Sequence, residues 1–201
     1  MATRRDFMKM TALAGGVVAG SSVSNSALAG LPEPVSQTSP DTMDPLQPHD
    51  GSHPYNPVVT LNGWSLPYRM NKGFKEFHLV AEPVVRELAP GMEANLWGYN
   101  GQSPGPTIEV VEGDNVRIFL TNRLPEHTSM HWHGQRLPNG MDGVAGLNQP
   151  AVMPGKTFVY EFEAKRPGTF MYHPHGDEMT QMAMGMMGFW VTHPRTKHPW
   201  I

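Results

Sequence analysis

Short runs of alternating apolar and polar residues recur along the chain from about residue 74 onward. Asn115–Asn122, for example, places Val116, Ile118 and Leu120 on one face. Side chains two positions apart leave the same face of a strand, so this period predicts half-buried β-strands. About seven or eight strands are predicted, over Phe74–Leu88, Glu93–Tyr99, Thr107–Val111, Asn115–Asn122, Thr128–Gln135, Thr157–Glu163, Phe170–His173 and Gly188–His193.

Turn residues separate these predicted strands and indicate the fold class. Gly and Pro number 21 and 20 among the 201 residues, which is typical of short strands joined by tight turns. Asn100-Gly101 and Glu112-Gly113-Asp114 lie between predicted strands, and a long loop covers residues 136–154. Short strands with turn signals at a spacing of about 8–12 residues predict an all-β fold, a sandwich or barrel.

The N-terminal 29 residues have the layout of a signal peptide. Arg4 and Arg5 are followed by a mild apolar run from Met10 and by the small-residue sequence Ala27-Leu28-Ala29. This layout resembles the bacterial twin-arginine signal and predicts export to the periplasm, with a mature chain that starts near Gly30. The run is too short and too weakly apolar to predict a permanent membrane span.

The rest of the chain divides by composition into an arm, a domain and a tail. Residues 30–57 hold seven prolines and no Lys or Arg, so they do not bury enough apolar area to form a core. Residues 58–70 are apolar and aromatic, which predicts an ordered lead-in. We therefore predict a Pro-rich arm and lead-in over 30–73, one domain over 74–195 and a tail over 196–201.

Charge and cysteine content limit the classes of function. The net charge is −3 and no basic stripe is present, so nucleic acid is not an expected partner. The sequence contains no cysteine, which excludes disulfides and thiolate metal sites within it.

Four histidines form the strongest chemical pattern in the chain. His131 and His133 flank one residue, and His173 and His175 flank another. Side chains at positions i and i+2 of a strand share a face, so two such strands side by side could direct four imidazoles at one small volume. Neutral imidazole binds copper, zinc, iron or nickel, and we therefore predict a metal site at these four residues.

The residues around the histidine pairs have structural interpretations, and most of them also have functional ones. Trp132 and Tyr172 should point away from the histidines and into the core. Asp142 in a Gly-rich loop is either a turn acid or a carboxylate that orients a metal ligand or relays protons. Asp177 and Glu178 are either solvated or partners of the imidazoles. The methionine-rich segment either packs in the core or captures Cu(I) through thioether sulfur. The spacing of Met179, Met182 and Met186 favours a short helical turn. The cluster consists of Met171, Met179, Met182, Met184, Met186 and Met187.

Several motifs occur together in one order. They are HWHG at 131–134, NGMDGV at 139–144, Gln149-Pro150, Pro154-Gly155 and GTFMYHPH at 168–175. With this order and spacing, the chain resembles the first cupredoxin domain of a multicopper oxidase. One H-x-H motif alone is weak support, whereas both pairs about 40 residues apart with the intervening loop are specific.

The resemblance implies a fold, a cofactor and roles for the site residues. It implies a Greek-key β-sandwich or barrel of cupredoxin type and half of a trinuclear copper centre that reduces O2 to water. His131 matches the type 2 copper ligand, and His133, His173 and His175 match type 3 ligands. Asp142 matches an acid that the family uses to pass protons towards the centre.

The sequence also departs from the family pattern. The H-x-x-H-x-H and H-C-H-x-x-x-H motifs that supply the other four histidines are absent, and type 1 blue copper needs a cysteine that this sequence lacks. The expectation is that the chain is a fragment or that it pairs with a C-terminal cupredoxin domain or a second chain. Alone it should lack turnover, and a metal ion or a phenol is the expected reducing substrate.

Two other functions remain open from the residues alone. The absence of cysteine and the methionine content favour a periplasmic copper-binding or resistance protein without catalysis. Three histidines and a water would also suit a mononuclear zinc hydrolase or hydratase, although the loop and the methionine segment give that reading no support.

Overall fold

Nine strands, one short helix and one 3-10 turn form the described part of the chain, which is Tyr55, Val58 and residues 64–196 of the computed structural model. The strands and helices are β1 Arg69–Asn71, β2 Phe74–Ala89, β3 Met92–Tyr99, β4 Gly105–Val111, β5 Asn115–Asn122, β6 His131–His133, the 3-10 turn Asn139–Met141, β7 Thr157–Glu163, β8 Gly168–His173, α1 Glu178–Ala183 and β9 Gly188–His193.

The strands form two sheets. One has the order β1-β2-β5-β7, with β3 paired to the second half of β2, and the other has the order β4-β9-β8-β6. β2 pairs with β5 and β4 pairs with β9 in parallel, and the remaining strand pairs are antiparallel. Side chains from both sheets share one core, so the prediction of an all-β sandwich is confirmed.

Trp132 occupies the centre of that core. Its ring lies 5.2 Å from the ring of Tyr160 and 5.4 Å from that of Trp190, which come from opposite sheets. Tyr172 packs nearby, and both Trp132 and Tyr172 are fully buried, as predicted. Because strand side chains alternate, burying Trp132 turns its two histidine neighbours to the opposite face of β6.

The strand predicted over Thr128–Gln135 is shorter in the structure and covers only His131–His133. Thr128 exchanges two backbone hydrogen bonds with Val152 instead, at 3.0 and 2.8 Å, and Gly134 has a positive φ that ends the strand. β1 was not predicted as a strand. Its three residues are too few for an alternating pattern, and pairing with β2 defines it.

The segment before β1 is part of the sandwich. Leu66 and Tyr68 are buried in the core. The carboxylate of Glu109 in β4 is only 3% exposed, and it accepts hydrogen bonds from the Val58 N–H, at 3.0 and 3.1 Å, and from the Ser65 hydroxyl. His193 Nε2 lies 3.0 Å from the same carboxylate. Glu109 therefore binds the lead-in to the β4–β9 pair.

Replacing Glu109 with alanine is expected to destabilise the chain by about 3 kcal/mol, since several half-buried donors lose one buried, charged acceptor. Urea unfolding of the metal-free chain measures this change. Glu82→Ala is the matched control, because the ion pair of Glu82 with Arg123, at 3.6 Å, is at the surface and worth about 0.5 kcal/mol. Equal losses in the two variants would contradict this role for Glu109.

Several predictions concern segments beyond the described residues. The signal peptide over 1–29, most of the arm over 30–73 and residues 197–201 of the tail lie outside them. Within the described part of the chain, no helix has the length and apolar character needed to cross a membrane.

Candidate metal centre

The antiparallel register of β6 and β8 brings the two histidine pairs together. His131 is directly opposite His173, and the ring centres of these two residues are 5.2 Å apart. The rings of His133 and His175 lie 5.5 and 5.4 Å from the ring of His131. The structure thus gathers all four predicted histidines at one end of the β6–β8 pair.

Three of the four histidines already have the spacing of ligands to one ion. One ring nitrogen from each of His131, His133 and His173 lies within 4.8 Å of the other two. His133 Nδ1 and His173 Nε2 are 3.2 Å apart. Imidazole nitrogens bind a zinc ion at about 2.0–2.1 Å, so two nitrogens at this separation fit one ion of that size. His175 is outside this group of three.

Backbone carbonyl groups fix which ring nitrogen is available in two of the histidines. His131 Nδ1 lies 2.7 Å from the carbonyl oxygen of Asp142, and His173 Nδ1 lies 2.9 Å from that of Pro174. A carbonyl oxygen only accepts, so Nδ1 must carry the proton and donate in both rings. Nε2 of each ring then keeps its lone pair for a metal ion.

Burial also favours the neutral state that a metal ion requires. His173 is only 3% exposed, and this burial lowers the pKa of its imidazole. The Pro174 carbonyl opposes the effect by accepting a hydrogen bond, while the neighbouring His131 and His133 add to it. At neutral pH the His173 imidazole is therefore neutral, which is the state in which a histidine binds a metal ion.

Asp142 reaches the site through its backbone and its side chain. Besides the carbonyl contact, its carboxylate Oδ1 lies 3.3 Å from His131 Nδ1. The following residue, Gly143, has a φ of +84°, and a Cβ there would lie 1.7 Å from the Met130 carbonyl oxygen. Only glycine permits this close approach of the loop backbone to the start of β6. Because the loop packs there, Asp142 lies beside His131.

The structure separates the two acids that follow the second histidine pair. Asp177 is the N-cap of α1 and accepts from the Thr180 N–H at 3.5 Å. The Glu178 carboxylate instead lies 3.8 Å from His173 Nδ1 and 3.6 Å from His175 Nε2. Glu178 is therefore the acid that faces the imidazoles.

The members of the methionine-rich segment also differ in their surroundings, since some are buried and others are exposed. The predicted short helical turn is confirmed as α1. Met186 is fully buried in the core, whereas the side chain of Met179 is 87% exposed. Packing therefore explains Met186 and does not explain Met179.

Two residues beside the site were not identified from the sequence. The His127 ring lies over Gly176, where a Cβ would be 3.3 Å from its Cδ2 atom. Gln181 is fully buried in α1 and binds the segment before β6. A lone histidine and a lone glutamine carry no sequence pattern, so only the tertiary contacts reveal them.

Comparisons with known proteins identify similar sequences over this domain. A family model described as multicopper oxidase matches residues 81–197, more than half of the chain. Copper resistance protein A of Escherichia coli is 40% identical over 67% of this chain and 22% of its own length. A multicopper oxidase of Staphylococcus aureus is 38% identical over 61% of this chain and 27% of its own. An L-ascorbate oxidase of Cucurbita pepo is 44% identical over 53% of this chain and 20% of its own length.

Solved structures of similar proteins share the fold. A multi-copper oxidase from Pseudomonas thermotolerans has a TM-score of 0.60 and 41% identity, over 62% of this chain and 30% of that one. A blue copper oxidase from Nitrosomonas europaea has a TM-score of 0.60 and 35% identity, over 62% of this chain and 40% of that one. The chain thus spans 20–27% of the length of the three curated relatives named above.

Proposed function

Since this chain belongs to the multicopper oxidase family, we propose that it supplies half of a trinuclear copper centre, at which O2 is reduced to water. The observation that carries this proposal is the convergence of four imidazoles from two H-x-H motifs, three of them with ligand nitrogens within 4.8 Å of one another. The proposed ligands are His131, His133, His173 and His175.

We assign His131 to the type 2 copper and the other three histidines to the type 3 pair. The free Nε2 of His131 supports a ligand role for that atom, because its Nδ1 is occupied by the Asp142 carbonyl. The 3.2 Å separation of His133 Nδ1 and His173 Nε2 supports a shared ion for these two residues. Copper, when bound, supplies the one-electron chemistry that O2 reduction requires.

The protein residues around the histidines orient ligands and handle protons. The Asp142 carbonyl holds the His131 ring in one tautomer. The Asp142 carboxylate, partly exposed and 3.3 Å from His131 Nδ1, is close enough to the site to pass protons between solvent and the centre. We assign this proton role to Asp142.

The remaining ligands and the reducing substrate belong to a partner in this proposal. A C-terminal cupredoxin domain or a second chain would supply four further histidines and the cysteine of a type 1 copper, which this sequence lacks. The electron donor would be a metal ion or a phenol. Twin-arginine export to the periplasm, suggested by Arg4 and Arg5, would deliver the chain folded.

The 201-residue chain alone is expected to bind copper without oxidase turnover. O2 uptake with a phenolic donor, measured on the copper-loaded chain, should equal that of free copper at the same concentration. The visible spectrum should lack the intense thiolate-to-copper band, because no cysteine is present. Turnover without any partner chain would refute the proposed division of the site.

Metal analysis distinguishes this function from the alternatives. Two or more coppers per chain in the presence of a partner with an H-C-H-x-x-x-H motif support the oxidase. A single, weakly held and exchangeable Cu(I) supports a copper-binding protein without catalysis, and tight zinc supports a hydrolase. Reading the coding DNA beyond the codon for Ile201 identifies one source of the partner motif.

A further inference from the structure

His175 is the one histidine of the four that neither strand holds. β6 contains His131 and His133, and β8 ends at His173. Pro174 follows, so the ladder that sets His173 opposite His131 stops before His175. Other contacts must determine where the His175 imidazole lies relative to the remaining three.

Three hydrogen bonds join the segment around His175 to the segment before β6. The His175 N–H donates to the Ser129 hydroxyl at 3.2 Å. The Thr128 hydroxyl donates to Gln181 Oε1 at 2.6 Å, and Gln181 Nε2 donates to the His127 carbonyl at 2.7 Å. We call the last two bonds the Gln181 bridge. Because Gln181 is fully buried, both of its polar atoms have protein partners in place of water.

The bridge joins α1, at the fourth of its six residues, to the segment before β6. α1 has six residues and is too short to be stable without tertiary contacts. Beyond its C-terminal end, the Met184 carbonyl accepts from the Trp97 N–H at 3.0 Å and the Gly185 carbonyl accepts from the Ser103 hydroxyl at 2.8 Å. The Gln181 side chain joins the helix to the 127–129 segment.

We propose that Gln181 is a positioning residue, which holds His175 and the adjoining α1 in register with the other three histidines; this role rests on the proposed function. The bridge passes from α1 to Thr128, one residue from the Ser129 hydroxyl that receives the His175 N–H. Loss of the bridge frees α1 from the 127–129 segment and loosens His175, whose carbonyl oxygen also accepts from the Ala145 N–H at 3.3 Å. The β6–β8 ladder keeps His131, His133 and His173 in place.

A double-mutant cycle on the 201-residue chain tests this role. Gln181→Met keeps the size of the side chain and removes both hydrogen bonds. Its affinity for copper(II) is expected to fall about 10-fold, the effect typical of a lost outer partner of a ligand. In a His175→Ala background the same substitution should change affinity less than about 2-fold, whereas in a His133→Ala background the full loss should remain, since interacting residues are non-additive.

Thr180→Val, an exposed position on the same helix, is the matched control and should bind copper as the unchanged chain does. Thr128→Val removes one hydrogen bond of the bridge and should lower copper affinity in the same backgrounds, by a smaller factor. It replaces Gln181→Met in the cycle if that variant does not fold. An equal loss in the His175→Ala background would overturn the proposal, because Gln181 would then act independently of His175.

Hydrogen exchange in the metal-free chain separates failure of this inference from failure of the proposed function. Gln181→Met should speed exchange of the His175 amide about 10-fold or more, while the Ile118 amide of β5 stays protected. If His175→Ala leaves copper affinity unchanged, the proposed ligand role of His175 fails, and the exchange rate alone decides on the bridge. An unchanged His175 rate rejects the Gln181 role.

Discussion

Replacing His173 with alanine is expected to lower the copper affinity of the chain by more than about 100-fold, since even outer partners of metal ligands are worth 10–100-fold. His173 is the most buried of the four histidines, and its Nε2 lies 3.2 Å from His133 Nδ1. It is also directly opposite His131 in the ladder. Its loss leaves only two of the three imidazoles whose nitrogens lie within 4.8 Å of one another.

Copper(II) titration against a competing chelator measures this loss at a pH above 7, where the lowered pKa of His173 keeps its imidazole neutral. His78→Gln is the control, because His78 is a half-buried histidine of β2 that contacts the Thr121 hydroxyl at 2.7 Å and lies outside the cluster. Burial and the nearby Arg123 lower the pKa of His78 to about 4, so it too is neutral under these conditions. Wild-type affinity in the His173→Ala chain would exclude the proposed site.

Replacing Gly143 with alanine should destabilise the chain by more than about 4 kcal/mol, a loss reserved for severe steric conflict. The new Cβ would lie 1.7 Å from the Met130 carbonyl oxygen and 2.8 Å from the backbone nitrogen of His131. These are backbone atoms at the start of β6, so neither yields without moving the strand. Copper affinity should fall about 10-fold as well, because the Asp142 carbonyl leaves the His131 ring.

Gly146→Ala in the same loop separates the steric effect from the backbone conformation. Gly146 has a φ of +80°, almost that of Gly143, but a Cβ there meets no atom within 4 Å. The Gly146→Ala substitution should lower the free energy of unfolding by only about 1–2 kcal/mol, because a residue with a side chain is strained in the left-handed conformation by that amount. Urea unfolding of both metal-free variants gives the comparison, and similar losses would show that the contact with Met130 is unimportant.

The alternating pattern predicted most of the strands because a sandwich buries one face of each strand. Val116, Ile118 and Leu120 share a face in β5 and are fully buried. The same alternation put Trp132 in the core and its histidine neighbours on the other face. The predicted strand over Thr128–Gln135 was too long, because the bonds between Thr128 and Val152 come from a residue 24 positions away.

The acids and methionines around the histidines could not be assigned from sequence. Asp177 and Glu178 are adjacent and chemically alike, yet one caps α1 and the other faces two imidazoles. Met179 and Met186 belong to one cluster, yet one is exposed and the other buried. The direction in which each side chain leaves a short helix depends on how that helix packs, which local pattern does not encode.

By itself, the sequence determined the fold class, the two histidine pairs and the family to which the chain belongs. These depend on period-two burial and on fixed short spacings, which are local properties of the chain. Only the tertiary structure decided that His131 is opposite His173, that the Asp142 carbonyl orients His131, and that Gln181 joins α1 to the segment before β6. Each of these contacts joins residues 11 to 54 positions apart. Pairing of β6 with β8 within one sheet, and packing of a loop and a helix beside that pair, bring them together, and no local pattern encodes this.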